Sequence, residues 1–395
     1  MTPRERIVKA MRGEAPDRVP CSPFMIRWIR GREGCVCPAH QLKVAEELGL
    51  DPILTYGQYV WQTVANDYVY SPSGGYSYAA SGLYGDLPDV GVELRIESRP
   101  DEVWYYRTFQ TPAGTLNDVI QWPRPDRGYG DGPNPHRVEP LVKSVADLEA
   151  LRYLYPPPRR DAVADIRLLL DQIGDRAVLA AADCAHPGGW GMEPLGPEGM
   201  LLASIEDPEL LRGVCRLAQD AHLRNLRAML QEGVEVVFDS WFQCGPSVGW
   251  SPRSYECFFL PLVREAVDLA HSYGAIYVYQ DDGKMRDIIP SIVASGADVL
   301  SGLQPPEVGD VVLADIKRQF GTRVALWGGL DPCYTFDLGD PEVVRKASEQ
   351  AIRDAGGGGG FILGTGEAVS PTTSRDSLLA AVQVVRESGV YGRDL

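Results

Sequence analysis

The sequence predicts an α/β fold: a (β/α)8 barrel of the TIM type carrying an antiparallel β-hairpin insertion near its N-terminus. Three observations lead there. Beyond Pro158, apolar strands alternate with amphipathic helices without interruption, the pattern of βαβ units on a parallel sheet. Between Trp61 and Trp122 the hydrophobic period changes to two, as in antiparallel hairpins. No Gly-x-Gly-x-x-Gly joins a strand to a helix, which removes the fingerprint of a dinucleotide-binding open sheet.

The elements follow in order. A helix is expected over Arg4–Arg12, stopped at Gly13, with a second over Pro38–Leu48 leading to a short strand at 51–56. Residues 61–122 form the β insertion, where Val92–Glu97 and Val103–Thr108 alternate most clearly. Pro123–Pro135 is rich in Pro, Gly and Asp and reads as a loop. Strands are then expected over 177–183, 234–239, 275–282, 298–304, 324–329 and 360–363. Helices are expected over 207–232, 254–273, 284–295, 310–320, 340–354 and 374–388. The Gly356–Gly360 run follows a helix and precedes a strand, so it is a connection and a poor phosphate cradle. The expectation is one barrel domain over residues 1–395.

Composition sets bounds on function. With 44% hydrophobic and 23% charged residues, the chain has the make-up of a globular protein. A formal charge of −16 argues against nucleic acid or an anionic membrane as partner. No apolar run of ~18 residues is present and the first residues lack an apolar core, so the expected location is the cytoplasm. Eight scattered cysteines do not form a disulfide framework. The dense group Cys35-Val-Cys37-Pro-Ala-His40 leaves little room for tetrahedral metal wrapping and reads as loop cysteines.

Chemistry in such barrels sits where strand ends converge on one mouth. Those ends carry Asp183 and His186, Asp239 and Trp241, then Gln280, Asp282 and Lys284, followed by Gln304, Asp331 and Glu367. The centre of this series is Tyr277-Val-Tyr279-Gln280-Asp281-Asp282-Gly283-Lys284, a strand that ends in two adjacent carboxylates. A plainer reading stands beside each. Asp183 and Asp239 also suit caps, Asp331-Pro332 suits a turn start, a lone histidine is more often structural, and aromatics are more often core.

The phrases along the chain resemble the uroporphyrinogen decarboxylase superfamily. They are the opening "RERIVKAMRGEAPDRVP", Gly233–Asp239 with Ser251-Pro252-Arg253, and His271–Gly274 before the central strand. Gly296-Ala-Asp298 with Gln304-Pro305, Gly328-Gly-Leu-Asp331 and Gly360–Leu363 complete the series. The resemblance implies the barrel fold and two chemistries. Its decarboxylases carry an arginine-rich segment that holds substrate carboxylates. Arg27, Arg30 and Arg32 stand there, with Trp28-Ile29 replacing part of the motif; a solvated face is the alternative. The decarboxylase histidine after the last strand is replaced by Gly366-Glu367-Ala368.

The corrinoid-linked methyltransferases of the superfamily hold zinc with His-x-Cys on the central strand and a cysteine after the last. By the resemblance, Gln280, Asp282 and Glu367 occupy those three positions, so every soft donor has become an oxygen donor. Such a set suits a hard ion or no ion. Two adjacent carboxyl groups raise one another's pKa, and a carboxylic acid kept neutral can protonate a leaving oxygen.

The expected function is therefore transfer of a methyl group from a small oxygen-methyl donor, with or without an aromatic ring, to a corrinoid on a separate protein. Asp282 and Glu367 would act as acid/base groups or as ligands of a hard metal with Gln280; Gln280 and Asp239 would orient. Arg27, His186, Trp241, Tyr279, Lys284, Gln304 and Asp331 would meet substrate. A uroporphyrinogen decarboxylase-like carboxy-lyase is the alternative, and a non-catalytic ligand-binding barrel the alternative of another class. A homodimer follows from family habit alone.

Overall fold

Strands that are apolar on both faces need cover on both sides, which a helix-wrapped parallel sheet supplies. The structure, a computed structural model, describes residues 1–33, 37–56, 87, 89–123, 136–155, 157–158, 160–182, 186–189, 194–393 and 395. They fall into two compact units, Met1–Tyr56 with Asp165–Ala182 and Met229–Leu395, and Gly57–Ala164 with Asp183–Ala228. In chain order the strands are β1 (Ile53–Tyr56), β2 (Gly91–Ser98), β3 (Glu102–Thr111), β4 (Gly114–Pro123), β5 (His136–Glu139), β6 (Val178–Ala181), β7 (Val236–Ser240), β8 (Ile276–Gln280), β9 (Val299–Leu303), β10 (Ala325–Leu330) and β11 (Phe361–Thr365).

The first unit is the barrel. Its seven parallel strands run in the order β1-β6-β7-β8-β9-β10-β11, and β6–β9 and β11 are buried throughout. The eighth stave is the Pro20–Ser22 segment. Leu363 N–H donates to Pro20 O at 2.9 Å, Ser22 N–H donates to Leu363 O at 2.8 Å, and Asp51 N–H donates to Cys21 O at 2.9 Å. The segment thus bridges β11 and the start of β1. Proline supplies no ladder donor, so Pro20 and Pro23 hid this stave from pattern reading.

Past Cys21 the stave and β1 part. Thr55 on β1 turns its N–H and C=O to the Gln41 side chain, at 3.3 and 3.4 Å. A small cavity of about 30 Å³ lies in the gap, lined by Phe24, Ile29, Ala45, Leu54 and Trp327 among others.

Helix α1 (Pro3–Met11) starts at a capping box, with Thr2 Oγ1 accepting Glu5 N–H and the Glu5 carboxylate accepting Thr2 N–H. Its Ile7, Ala10 and Met11 pack on Val178, Ala180, Phe238, Val278 and Trp327. Burying a side chain the size of Ile7 or Met11 contributes about 1.5–3 kcal/mol. Two more helices follow, α2 (Ile26–Glu33) and α3 (Pro38–Leu48). The sequence signalled α1 and α3 but not α2. The expected helix over 284–295 shrinks to Ile289–Ala294, with Pro290 in its first turn, because Asp310 Oδ1 holds the preceding Met285 and Arg286 N–H groups in a loop. The one over 254–273 breaks at Phe259, just before Pro261 opens the next helix.

The second unit contains the antiparallel sheet β2-β3-β4-β5. β2 and β3 pair from Gly91↔Gln110 to Ser98↔Val103, so the period-two reading of 92–108 describes a real hairpin. Residues 61–86 and 88 of the expected insertion lie outside the described residues, as do Asp183 and Trp190. Within this sheet Asp118 is fully buried between Arg107 and Arg137. Burial opposes its charge, but the two guanidinium groups win and hold its pKa below the usual carboxylate range.

The barrel's closing stave is anchored by Asp51, which is 1% exposed. Its carboxylate accepts from Arg6 at 2.5 Å, from Arg18 at 2.7 Å and from Cys21 N–H at 3.0 Å. Removing one partner of such a buried set strands the others, at about 3–5 kcal/mol. Asp51→Ala is therefore expected to lower the unfolding free energy, read from urea titration, by that amount. A loss under about 1 kcal/mol would show that the stave is held by something else.

Candidate active site

Strand β8 ends in a turn that is fixed from three sides. Gly283 N–H donates to Gln304 Oε1. Ser247 Oγ accepts Lys284 N–H at 2.6 Å and donates to the Asp282 carbonyl at 3.3 Å. Asp281 Oδ1 accepts Asp282 N–H at 2.8 Å. A bulge in β9 at Gly302 makes the room: its φ is +81°, and a Cβ there would lie 1.5 Å from the Asp281 carbonyl oxygen. Only glycine fits both constraints.

The alternation of side chains then separates neighbours. Asp281 points away, toward Gly245, where an added Cβ would lie 2.6 Å from its Oδ2. Gln280 and Asp282 face Glu367, which the loop after β11 supplies. Gln280 Nε2 donates to Glu367 Oε2 at 3.5 Å, while Gln280 Oε1 accepts the Ser240 hydroxyl. The Glu367 loop is laced to the closing stave: Phe24 N–H donates to Thr365 Oγ1 at 3.0 Å and Val369 N–H donates to Phe24 O at 2.8 Å. Three residues on, at the start of α2, Arg27 brings its guanidinium into the field of Glu367.

This surrounding sets the protonation. Burial raises the Asp282 pKa, and the neighbouring Glu367 raises it further, to about 7. Glu367 is also pushed up by burial, but the Ala368 N–H, the Arg27 guanidinium and the Gln280 amide all favour its charged form. Asp282 has no such cation. Asp282 is therefore the member of the pair pushed toward keeping a proton, while the groups around Glu367 favour its charge.

The other expected residues take separate places. Asp239 is fully buried on β7, accepting the Tyr277 hydroxyl at 2.8 Å, which in turn accepts Trp241 Nε1–H at 3.0 Å. Trp241 and Tyr279 are fully buried and stack at 6.1 Å with planes 3° apart, so they brace the barrel wall. Gln304 holds the β8 turn and Lys284 is exposed. Asp331 accepts the Cys333 and Tyr334 N–H groups at 2.8 and 2.5 Å, capping the π turn Pro332–Asp337. His186 belongs to the second unit, where it is buried with its ring 4.9 Å from His222. Sequence reading passed over Asp281, Ser240, Ser247 and Phe24. The strand period did signal that Asp281 faces opposite to its neighbours.

A metal does not suit these donors. The Gln280 oxygen that would bind an ion already accepts the Ser240 hydroxyl, and the Gln280 amide nitrogen is turned to Glu367. Among the described residues, no group of three or more His, Cys, Asp or Glu side chains is placed to hold a metal ion. Nor, among those residues, is any helix long and apolar enough to cross a membrane.

A parallel α/β barrel with two neighbouring carboxyl groups of raised pKa at its strand ends defines the class of protein. Comparison with known proteins narrows it. The uroporphyrinogen decarboxylase (URO-D) family model matches residues 127–388, well over half of the chain, and the chain belongs to that family. The uroporphyrinogen decarboxylase of Nocardia farcinica is 30% identical over 257 residues, 62% of this chain and 69% of that protein. That of Nostoc punctiforme is 24% identical over 325 residues, 78% and 85% of the two chains. Among solved structures, a methyltransferase from Methanosarcina mazei superposes with a TM-score of 0.65, covering 98% of this chain and 99% of that one at 18% identity. That last likeness is one of fold.

The raised pKa of Asp282 carries a stability consequence. Unfolded, this group releases its proton near pH 4; folded, it holds it to about 7. Stability should therefore fall as pH climbs between those values. Asp282→Asn removes that loss and is expected to raise the thermal midpoint at pH 8 by roughly 2–5 °C while changing little at pH 4. Equal effects at both pH values would place the Asp282 pKa in the ordinary range.

Proposed function

We propose that this protein transfers a methyl group from a small oxygen-methyl donor, with Asp282 as general acid and a corrinoid on a separate carrier protein as the acceptor substrate. The observation that supports this reading is the joining of Gln280, Asp282 and Glu367 at one strand mouth, with the Asp282 pKa raised to about 7 and no soft donor among the three. The acceptor supplies an electron pair to the methyl carbon. As the carbon–oxygen bond breaks, its electrons stay on oxygen, and Asp282 delivers its proton there, so the product leaves as a neutral alcohol or phenol. Glu367, already charged and steadied by Arg27, keeps the proton of Asp282 in place until that moment. Gln280, pinned by Ser240, holds the Glu367 carboxylate at a fixed distance. Solvent then reprotonates Asp282.

Decarboxylation is the second reading, favoured by the names of the relatives. A protonated Asp282 would equally serve a carbon centre left by loss of carbon dioxide. Two carboxyl groups at the strand mouth, with Arg27 near only Glu367, nevertheless make a poor lining for a substrate bearing several carboxylates.

The two readings separate in one assay. The protein is mixed with a reduced corrinoid carrier and a panel of methyl ethers, and in parallel with uroporphyrinogen. Loss of the reduced-corrinoid absorbance with a methyl ether is expected, falling about 10²–10⁴-fold in Asp282→Asn. Its rate should drop as pH rises through about 7, where Asp282 gives up its proton. Release of carbon dioxide from uroporphyrinogen, with every ether inert, would replace methyl transfer by decarboxylation.

A further inference from the structure

The antiparallel sheet of the second unit has two edges, and they differ. One is β5, four residues long and joined to β4 through a register shift between Val119 and Ile120. The other is β2, eight residues paired with β3 without a break. Among the described residues nothing pairs with its free side. Edges of this length are commonly guarded against stray pairing by a lysine, a proline or a bulge, and Gly91–Ser98 has none of these.

The phase of the ladder decides which groups face out. Arg99 N–H donates to Glu102 O at 2.9 Å, closing the turn between the two strands. Bonded pairs alternate in an antiparallel ladder, so Glu97, Arg95 and Glu93 bond to β3 while Val92, Leu94 and Ile96 turn N–H and C=O outward. The side chains of these three lie on the face of Tyr105 and Ile120, where Leu94 packs, and Ile96 is left 52% exposed. Glu93 and Arg95 are exposed on the opposite face.

We propose that the free side of β2 pairs antiparallel with β2 of a second copy of this chain, joining the two sheets into one. About a two-fold axis at Leu94 the strand is complementary to itself. Leu94 meets its own copy, Val92 meets Ile96 of the second copy, and Glu93 meets Arg95 of the second copy, with the run Gly91–Glu97 in the ladder. The outward groups of Val92, Leu94 and Ile96 all find partners in this register. An axis at Glu93 would set that carboxylate against itself. An axis at Arg95 would set the guanidinium against itself and Glu93 against Glu97. An axis at Ile96 keeps opposite charges together but pairs only Leu94–Ser98. Charge and length together select the register about Leu94. The pairing is independent of the methyl-transfer reading.

Sedimentation velocity of the full chain across about 1–100 μM gives the first readout, and a dimer is expected. Arg95→Glu sets two carboxylates against each other and should weaken that dimer at least about 10-fold; adding Glu93→Arg restores the opposite charges and should restore the dimer. Both side chains are exposed, so the hairpin itself is expected to stay folded. Hydrogen exchange gives the second readout. The Val92, Leu94 and Ile96 amides should gain protection as the dimer forms, while those of Glu93 and Arg95, held by β3, stay protected at every concentration. A chain that remains a monomer throughout overturns the proposal. So does a dimer that Arg95→Glu leaves intact, or one whose Val92, Leu94 and Ile96 amides exchange freely.

Discussion

Two half-buried carboxyl groups held near one another resist carrying charge at the same time, and the geometry around β8 turns on that constraint. Asp282 and Glu367 meet because the closing stave, through Phe24, fastens the Glu367 loop beside the end of β8. Once they meet, the partners decide which is ionised. Arg27, Gln280 and the Ala368 amide all lie on the side of Glu367. Asp282 is thereby the group pushed toward holding a proton, in a turn that Gln304, Ser247 and Gly302 allow little freedom to move.

The same parts that close the barrel also build its site. Asp51 gathers Arg6, Arg18 and the Cys21 amide at one end of the stave. At the other end the stave abandons β1, leaves Gln41 to satisfy Thr55, and turns into α2 to deliver Arg27. A barrel closed by a full strand at this point would pair Thr55 with backbone and would have no reason to free the chain toward Glu367. The split seam is thus the structural cost of placing a cation near the carboxyl pair.

Much of this was legible in the sequence where the pattern is local. The apolar runs at β6–β11 marked themselves by burial on both faces, and α3 by Pro38 at its start and Gly49 at its end. The strand-end residues Gln280, Asp282 and Glu367 could be singled out because strand ends are where barrels expose polar groups. What depends on distant partners was not legible. The stave over 20–22 has prolines where a ladder donor belongs, α2 looked like a polar surface stretch, and Trp241 and Tyr279 turned out to brace each other in the wall. The role of Asp281 needs Gly245 and Gly302, residues 36 positions before and 21 after it, whose closeness no local period announces.

The claim on which everything else rests is that Asp282 holds a proton near neutrality. Carbon-13 NMR of the protein labelled at aspartate carboxyl carbons, followed from pH 3 to 9, measures it most directly. The account predicts one aspartate resonance titrating near pH 7 and absent in Asp282→Asn. If the resonance lost in that variant instead titrates near 4, as an ordinary aspartate does, the acid role assigned to Asp282 is wrong.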